Sequence, residues 1–260
     1  MIGIFDSGLG GLTTVKEIMA LNPKEKLVYF GDTGRVPYGT RSTETILRYA
    51  EQDAAFLMSK NVDAIVVACG TVSTTALSLL KKSLPIPVVG VVEPSASAAV
   101  KATKNKIVAV IGTTATIRSG AFENAIRGID PSVAVITRAC PLFVPLVENG
   151  FTDKNDPITR HTVERYLEDI KNSGADTLIL GCTHYPIIAD AIADYLPGVT
   201  LINSGAEAAK EAMNLIGNSN EEPSVSYFVS DDPSSFEKNA SIFLGRVING
   251  SVTKVNIEEF

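Results

Sequence analysis

Short runs of branched apolar residues alternate along this chain with longer stretches whose apolar positions recur every three or four residues. MIGIF, KLVYF, DAIVVAC, PVVGVV, KIVAVIG, VAVIT, DTLILGC and VTLIN have the length and β-branched content of buried strands. Between the first two, GGLTTVKEIMALNP places Leu12, Val15 and Met19 on one helical face and stops at Asn22-Pro23. STETILRYAEQDAAFLMSKN does the same with Leu47, Ala50, Ala54 and Leu57, and Ser42 is placed to cap it. Strands alternating with helices predict an α/β fold of mostly parallel sheet with helices on both faces.

The C-terminal segment SVSYFVSDDPSSFEKNASIFLG reads as strand, turn and helix. Asp232 precedes Pro233 at the helix start, and Phe236, Ala240, Phe243 and Leu244 face inward. This pair needs a sheet to join, and the N-terminal half offers one. No low-complexity linker interrupts the chain, so any domain boundary is expected to be a short hinge near Val92-Glu93-Pro94.

An internal echo is more informative. DAIVVACGT (63–71) and DTLILGCTH (176–184) share an Asp, an apolar run, a small residue, a Cys and a nearby Thr. Each follows a long amphipathic stretch, and upstream lie GIFDSG (3–8) and AVIGTT (109–114), each a strand leading into a small-residue turn. Two homologous α/β halves account for this, each presenting one cysteine at the carboxyl end of a parallel strand, where ligands bind in such sheets.

Composition narrows the field. The 260 residues are 45% hydrophobic and 20% charged, as in ordinary soluble domains, and suffice for one large or two smaller α/β units. A net charge of −6 with no Lys/Arg run argues against nucleic acid or an anionic membrane as partner. MIGIFDSG has no basic n-region, so no signal peptide is read, and no apolar run reaches the ~18 residues of a span. Three separated cysteines form no disulfide framework and point to a reducing cytoplasm.

The chemistry centres on Cys69 and Cys182. A buried cysteine is most often a small hydrophobe, which is the reading for Cys140 in RACPLF. The other two stand where strand is expected to give way to helix, which would favour a thiolate. Thr71 and Thr183 follow them, suited to a carboxylate beside backbone N–H groups, and His184 can relay a proton at Cys182. Zinc is discounted because the second close ligand spacing is missing, and a Cys-His hydrolase would leave one thiol unexplained. A two-base scheme uses both thiols: one removes a Cα proton of a bound amino acid and the other protonates the opposite face.

The loop IFDSGLGG is neither GxGxxG nor a P-loop, so a nucleotide phosphate is not expected. Asp6 suits a substrate ammonium or proton handling beside Cys69, or an N-cap for the following helix; the two roles can coexist. GDTGRVPYG (31–39) offers backbone N–H groups to a second carboxylate, or is a plain βα connection with an Arg35 salt bridge.

FDSGLGGLT, GDTGRVPYG, VVACGTVST, IPVVGVVEP, VIGTTATIRSG, CPLFVPLVE, LGCTHYP, SGAE and the closing FVSDDPSSFEKNASIFLG occur in this order nearly end to end. In these motifs the chain resembles the glutamate racemases of the aspartate/glutamate racemase superfamily. The resemblance implies cofactor-independent, metal-free interconversion of L- and D-glutamate, supplying D-glutamate for peptidoglycan in the cytoplasm. It implies two pseudo-symmetric domains with the active site between them: 1–93 with 208–260, and 94–207. Cys69 and Cys182 would be the catalytic bases, with Asp6 assisting the first and Glu148 and His184 the second. Asp6, Ser7, Pro37, Tyr38, Gly39, Gly70, Thr71, Thr183 and His184 would hold substrate. Glu148, in FVPLVENG, comes from the resemblance alone; by itself it reads as a solvated helix end. Tyr185 and Pro186 would shape a helix start, and His161 is an ordinary surface residue.

Two departures stand out: Gly70 where many members have Asn, so its substrate contact must come from elsewhere, and Asn203 in INSGAE where Asp is common. Homodimers are usual in the family. Some members carry an N-terminal extension tied to activation by a cell-wall precursor; this chain begins at its first strand and is expected to need no activator. The alternatives are an aspartate racemase, or a non-catalytic binding protein on the same fold.

Overall fold

The computed structural model describes residues 1–216, 222–248 and 250–260. The first half runs β1 (Ile2–Asp6), α1 (Leu12–Leu21), β2 (Lys26–Gly31), α2 (Thr43–Met58), β3 (Ala64–Val67), α3 (Gly70–Thr75), α4 (Leu77–Ser83), β4 (Val88–Val89) and α5 (Val92–Ala102). The second contains β5 (Ile107–Gly112), α6 (Thr114–Arg118), α7 (Ala121–Ile129), β6 (Ala134–Ala139), α8 (Phe143–Glu148), α9 (Pro157–Ser173), β7 (Thr177–Leu180), α10 (Ala189–Tyr195) and β8 (Thr200–Asn203). Then follow α11 (Ser204–Ile216), β9 (Ser224–Val229), α12 (Pro233–Leu244) and β10 (Val252–Lys254).

Two sheets form, ordered β10-β9-β2-β1-β3-β4 and β6-β5-β7-β8, with every pairing parallel. The order β2-β1-β3-β4 repeats as β6-β5-β7-β8, so β3 and β7 hold equivalent places beside their central strands. In register, Phe5 lies opposite Val67 and Ile111 opposite Leu180, which brings the turns after β1 and β3, and after β5 and β7, to one end of each sheet. The cysteines follow from those equivalent ends.

Alternation explains the layers. Ile2 and Ile4 of β1, with Leu27 and Tyr29 of β2, face a core that continues through α1, α5 and α11 into the second sheet. Phe5, Val28 and Phe30 face a second core under α2. Ser42 caps α2 by accepting the Thr45 N–H, and Asp232 caps α12 by accepting from Ser234 and Ser235, with Pro233 at the first helical position. Phe236, Ala240, Phe243 and Leu244 are buried as the spacing predicts, and β9 adds to the first sheet beside β2. Burying each of the large side chains stabilises by roughly 1.5–3 kcal/mol, which ties the C-terminal segment to the first half.

The structure corrects several readings. VAVIT and VTLIN are not fully buried strands: β6 and β8 are sheet edges whose residues, Ile202 apart, are exposed or half-buried, because only one neighbour covers them. In PVVGVV only Val88 and Val89 are strand, and Val92-Glu93-Pro94 forms the first turn of α5. The short edge strand β10 carried no readable pattern. Among the described residues no helix is long and apolar enough to cross a membrane.

Candidate active site

A cavity of about 380 Å³ lies where the carboxyl ends of the two sheets face each other, a volume suited to a small molecule. Ser7, residues 36–40, Cys69, Gly70 and Thr71 line it from the first half. Thr113, Thr114, Glu148 and the run Gly181 to His184 line it from the second. Both thiols therefore open onto one space from opposite walls. Asp6 lies behind the wall: it is 1% exposed and does not line the cavity.

Cys69 caps the N-terminus of α3 and is 6% exposed. Its Sγ lies 3.7 Å from Ser7 Oγ. Burial, then the neighbouring Asp6 charge, push the thiol up to about 12, against opposing hydrogen bonds from Val72 and Ser7. The thiolate expected from the helix end is thus overruled. Such an end offers ~0.3–1 kcal/mol, too little to replace lost hydration. Asp6 accepts the Gly8 N–H at 3.0 Å and the Thr183 hydroxyl at 3.5 Å. Burial raises the Asp6 carboxyl while His184 and the Gly8 and Gly11 N–H groups act to lower it. Asp6 thus organises the glycine loop and sets the charge behind Cys69.

Cys182 is not at an α-helix start. After Leu180 the chain turns, then forms a 3₁₀ turn over Tyr185–Ile188 before α10. In place of a helix end Cys182 has His184, whose Nδ1 is 3.9 Å from Sγ and 3.3 Å from Thr183 Oγ1. His184 Nε2 meets Glu148 Oε1 at 3.0 Å. Burial alone would lower the imidazole, but its hydrogen bonds to Cys182 and Glu148 and their charges outweigh it and raise it to about 10. The ring is therefore an imidazolium at neutral pH, donating through Nε2 to a Glu148 whose side chain is 44% exposed. Phe243 of α12 packs edge-on against it at 5.1 Å, so the C-terminal helix buttresses the proton relay.

Hydroxyls and glycines complete the walls. Thr71 Oγ1 and Thr113 Oγ1 stand 3.1 Å apart, joining the two halves across the cavity. Thr13 Oγ1 lies 2.8 Å from the Gly10 carbonyl oxygen and 3.2 Å from that of Thr183, setting α1 against the Cys182 turn. The Tyr38 hydroxyl is held by Asp32 and Asp53, with the side chain 1% exposed, so Pro37-Tyr38-Gly39 forms a fixed lip. At Gly70 an added Cβ would lie 2.3 Å from the Gly181 carbonyl oxygen. The place of a side chain there is taken by backbone from the opposite half.

Every other residue singled out from the sequence for the site lines this cavity: Cys69, Cys182, Glu148, His184, Ser7, Pro37, Tyr38, Gly39, Gly70, Thr71 and Thr183. Thr113 and Thr114 were missed, although AVIGTT is the second-half counterpart of GIFDSG and marks the same strand end. Thr13 carried no signal at all. Cys140 is fully buried, and its carbonyl accepts the Tyr185 hydroxyl at 2.9 Å. His161 is exposed beside Glu164, and Asn203 Oδ1 accepts the Gly205 and Ala206 N–H groups at the start of α11. No group of three His, Cys, Asp or Glu side chains among the described residues is placed to hold a metal ion.

Comparison with known proteins places this geometry. The family model for Asp/Glu/Hydantoin racemase matches residues 13–212. A glutamate racemase of Geobacter metallireducens is 46% identical, with 99% of this chain and 97% of that protein covered. The structure is similar to Bacillus anthracis glutamate racemase isoform RacE1, with TM-score 0.92, 39% identity and coverage of 98% and 97%. It is also similar to the Francisella tularensis glutamate racemase in complex with D-glutamate, with TM-score 0.91, 36% identity and coverage of 100% and 98%.

Proposed function

The chain belongs to the Asp/Glu/Hydantoin racemase family, and from that premise we propose that it interconverts L- and D-glutamate. The observation that carries the mechanism is that Cys69 and Cys182 follow equivalent strands of two like-ordered sheets and line one cavity. A thiolate on one wall takes the Cα proton and becomes a thiol. The resulting planar carbanion receives a proton from the thiol on the opposite wall, which becomes the thiolate. Inversion follows because the two groups serve opposite faces, and the enzyme returns in the mirrored protonation state.

The two walls are electrostatically unlike. Cys69, buried with Asp6 behind it, is held as the thiol. The His184 imidazolium, anchored by Glu148, supplies the counter-ion that a thiolate at Cys182 needs. When a thiolate is needed at Cys69, the Asp6 carboxylate, with its raised affinity for a proton, takes up the proton that leaves the thiol. Hydroxyls of Ser7, Thr71 and Thr183 and backbone of Gly39 and Gly70 hold the substrate carboxylates, within the lip formed by Pro37 and Tyr38. Thr113 joins them through its contact with Thr71. The scheme needs neither pyridoxal phosphate nor metal, because both bases are side chains of the chain.

The same reading makes 1–93 with 208–260 and 94–207 the two working units, and the active form a homodimer in the cytoplasm. The product serves as the D-glutamate of peptidoglycan. Incubation of the purified protein with L-glutamate in D₂O, without cofactor, tests the chemistry. Loss of both the Cα proton signal and the optical rotation is expected. Proton exchange with rotation retained would mean that one face alone is served and would overturn the two-wall scheme. Inertness toward glutamate alongside turnover of L-aspartate would overturn the substrate.

A further inference from the structure

Beneath the cavity lip a closed set of polar groups surrounds Arg35. Its Nε donates to Asp32 at 2.6 Å, Nη2 to Asp53 at 2.9 Å and Nη1 to Gln52 at 2.5 Å, with Glu258 farther off at 3.4 Å. The guanidinium lies 4.0 Å from the Tyr49 ring centre. Asp32 and Asp53 are fully buried, whereas the Glu258 side chain is 64% exposed and solvated. Tyr38, on the lip, bonds through its hydroxyl to Asp32 and lies 3.1 Å from Asp53 Oδ2.

The protons can be counted. Tyr38 has one hydroxyl hydrogen. With that hydrogen given to Asp32 Oδ2, which also accepts the Arg35 Nε–H, Asp32 Oδ1 has no partner among the described residues. A proton on Asp32 Oδ1 would point at nothing, and one on Oδ2 would weaken the oxygen that already accepts the Arg35 Nε–H at 2.6 Å. Asp53 Oδ1 accepts from Arg35, and its Oδ2 faces the Tyr38 oxygen, whose single hydrogen, when given to Asp32, leaves this contact without a donor. Two hydrogen-free oxygens 3.1 Å apart in a buried site repel; one proton on Asp53 turns that contact into a hydrogen bond. Charge points the same way, since two buried carboxylates against one guanidinium leave a negative charge unpaired. Burial, followed by the Asp32 charge, also pushes the Asp53 carboxyl well above its usual range.

We propose that Asp53 is a positioning residue that holds a proton in the folded protein and donates it through Oδ2 to Tyr38 Oη, fixing the Pro37–Gly39 lip over the cavity. Asp53 touches no cavity surface and acts through Tyr38; its effect on turnover rests on the racemase reading above. An Asn at this position keeps a carbonyl for Arg35 and an N–H donor for Tyr38. It therefore copies the protonated acid and not the carboxylate.

The test compares the wild-type chain with Asp53→Asn, Asp53→Leu and Tyr38→Phe by infrared difference spectroscopy at neutral pH and by glutamate racemisation kinetics. A protonated-carboxyl band present in wild type and absent from Asp53→Asn is expected. Asp53→Asn should keep KM within about threefold, while Asp53→Leu and Tyr38→Phe raise it about tenfold with a smaller change in kcat. Should Asp53→Leu fail to fold, Tyr38→Phe supplies the same comparison. Absence of the band, or an Asp53→Asn variant as impaired as Tyr38→Phe, would overturn the assignment. A wild type inert toward glutamate would count against the proposed reaction, and the band would still decide the Asp53 proton.

Discussion

Replacing Gly70 by Ala adds one methyl group at the point where the two halves come closest. Its Cβ would lie 2.3 Å from the Gly181 carbonyl oxygen and 3.3 Å from the Gly181 carbonyl carbon. Restoring an ordinary carbon–oxygen contact requires about 1 Å of separation. Gly181 is held in its own sheet, because its N–H donates to the Ile111 carbonyl at 2.8 Å. Gly70 is not among the glycines of positive φ, so the substitution adds no backbone strain and isolates the steric effect. Within one rigid core such overpacking costs about 1–3 kcal/mol. Here the clash is between two halves, and the cleft can widen to relieve it. Stability then changes little, with Tm moving by less than about 5 °C, while the thiols lose registry. A misplacement of about 1 Å costs on the order of 100-fold in rate, or about 2.7 kcal/mol in the barrier. The assay is racemisation kinetics in both directions beside a thermal melt. A variant retaining kcat/KM within about threefold of wild type would refute the claim that this backbone contact sets the separation of the walls.

Cys69→Ser and Cys182→Ser should each lower racemisation by about 10³-fold or more while circular dichroism stays native; near-normal turnover in both directions by either variant would sink the two-thiol assignment. His184, raised to about 10, contributes stability that is complete below its unfolded value of 6.5 and disappears as pH rises through 10. Glu148→Gln removes the anionic partner of the ring, so the alkaline limb of kcat/KM should move to lower pH, and an unmoved limb in a pH–rate profile would contradict the relay. Asn203→Ala removes the acceptor for two α11 N–H groups and should cost about 1 kcal/mol in urea denaturation, with kcat/KM unchanged.

Much of the fold can be read from the chain because its determinants are local. The strand and helix periods, the caps at Ser42 and Asp232 and the matched Cys69 and Cys182 segments all lie within stretches of a few residues. The strand character of VAVIT is local too, but its burial is not: β6 lies at a sheet edge because of which strand it pairs with, and no pattern within five residues encodes a missing neighbour. The same limit applies to the site. Glu148 looks like a solvated helix end until the fold sets it 3.0 Å from His184.

By itself, then, the sequence determined the alternation of strands and helices, the duplication of a strand ending in cysteine, and the residue types gathered around the cavity. It did so because hydrophobic period and turn chemistry act over one or two helical turns. Tertiary structure alone decided the electrostatics and the spacing. Cys69 stands at a helix start that should favour a thiolate, yet burial and Asp6 keep it a thiol. Cys182 lacks that helix end and has an imidazolium instead. Asp32, Arg35, Tyr38 and Asp53 become one proton-sharing set only when α2 packs beneath the lip. Gly70 shows in the sequence only as an absent side chain; the fold reveals the Gly181 backbone that occupies its place. Desolvation and close approach depend on what the rest of the chain brings near, and that is settled only when distant segments meet.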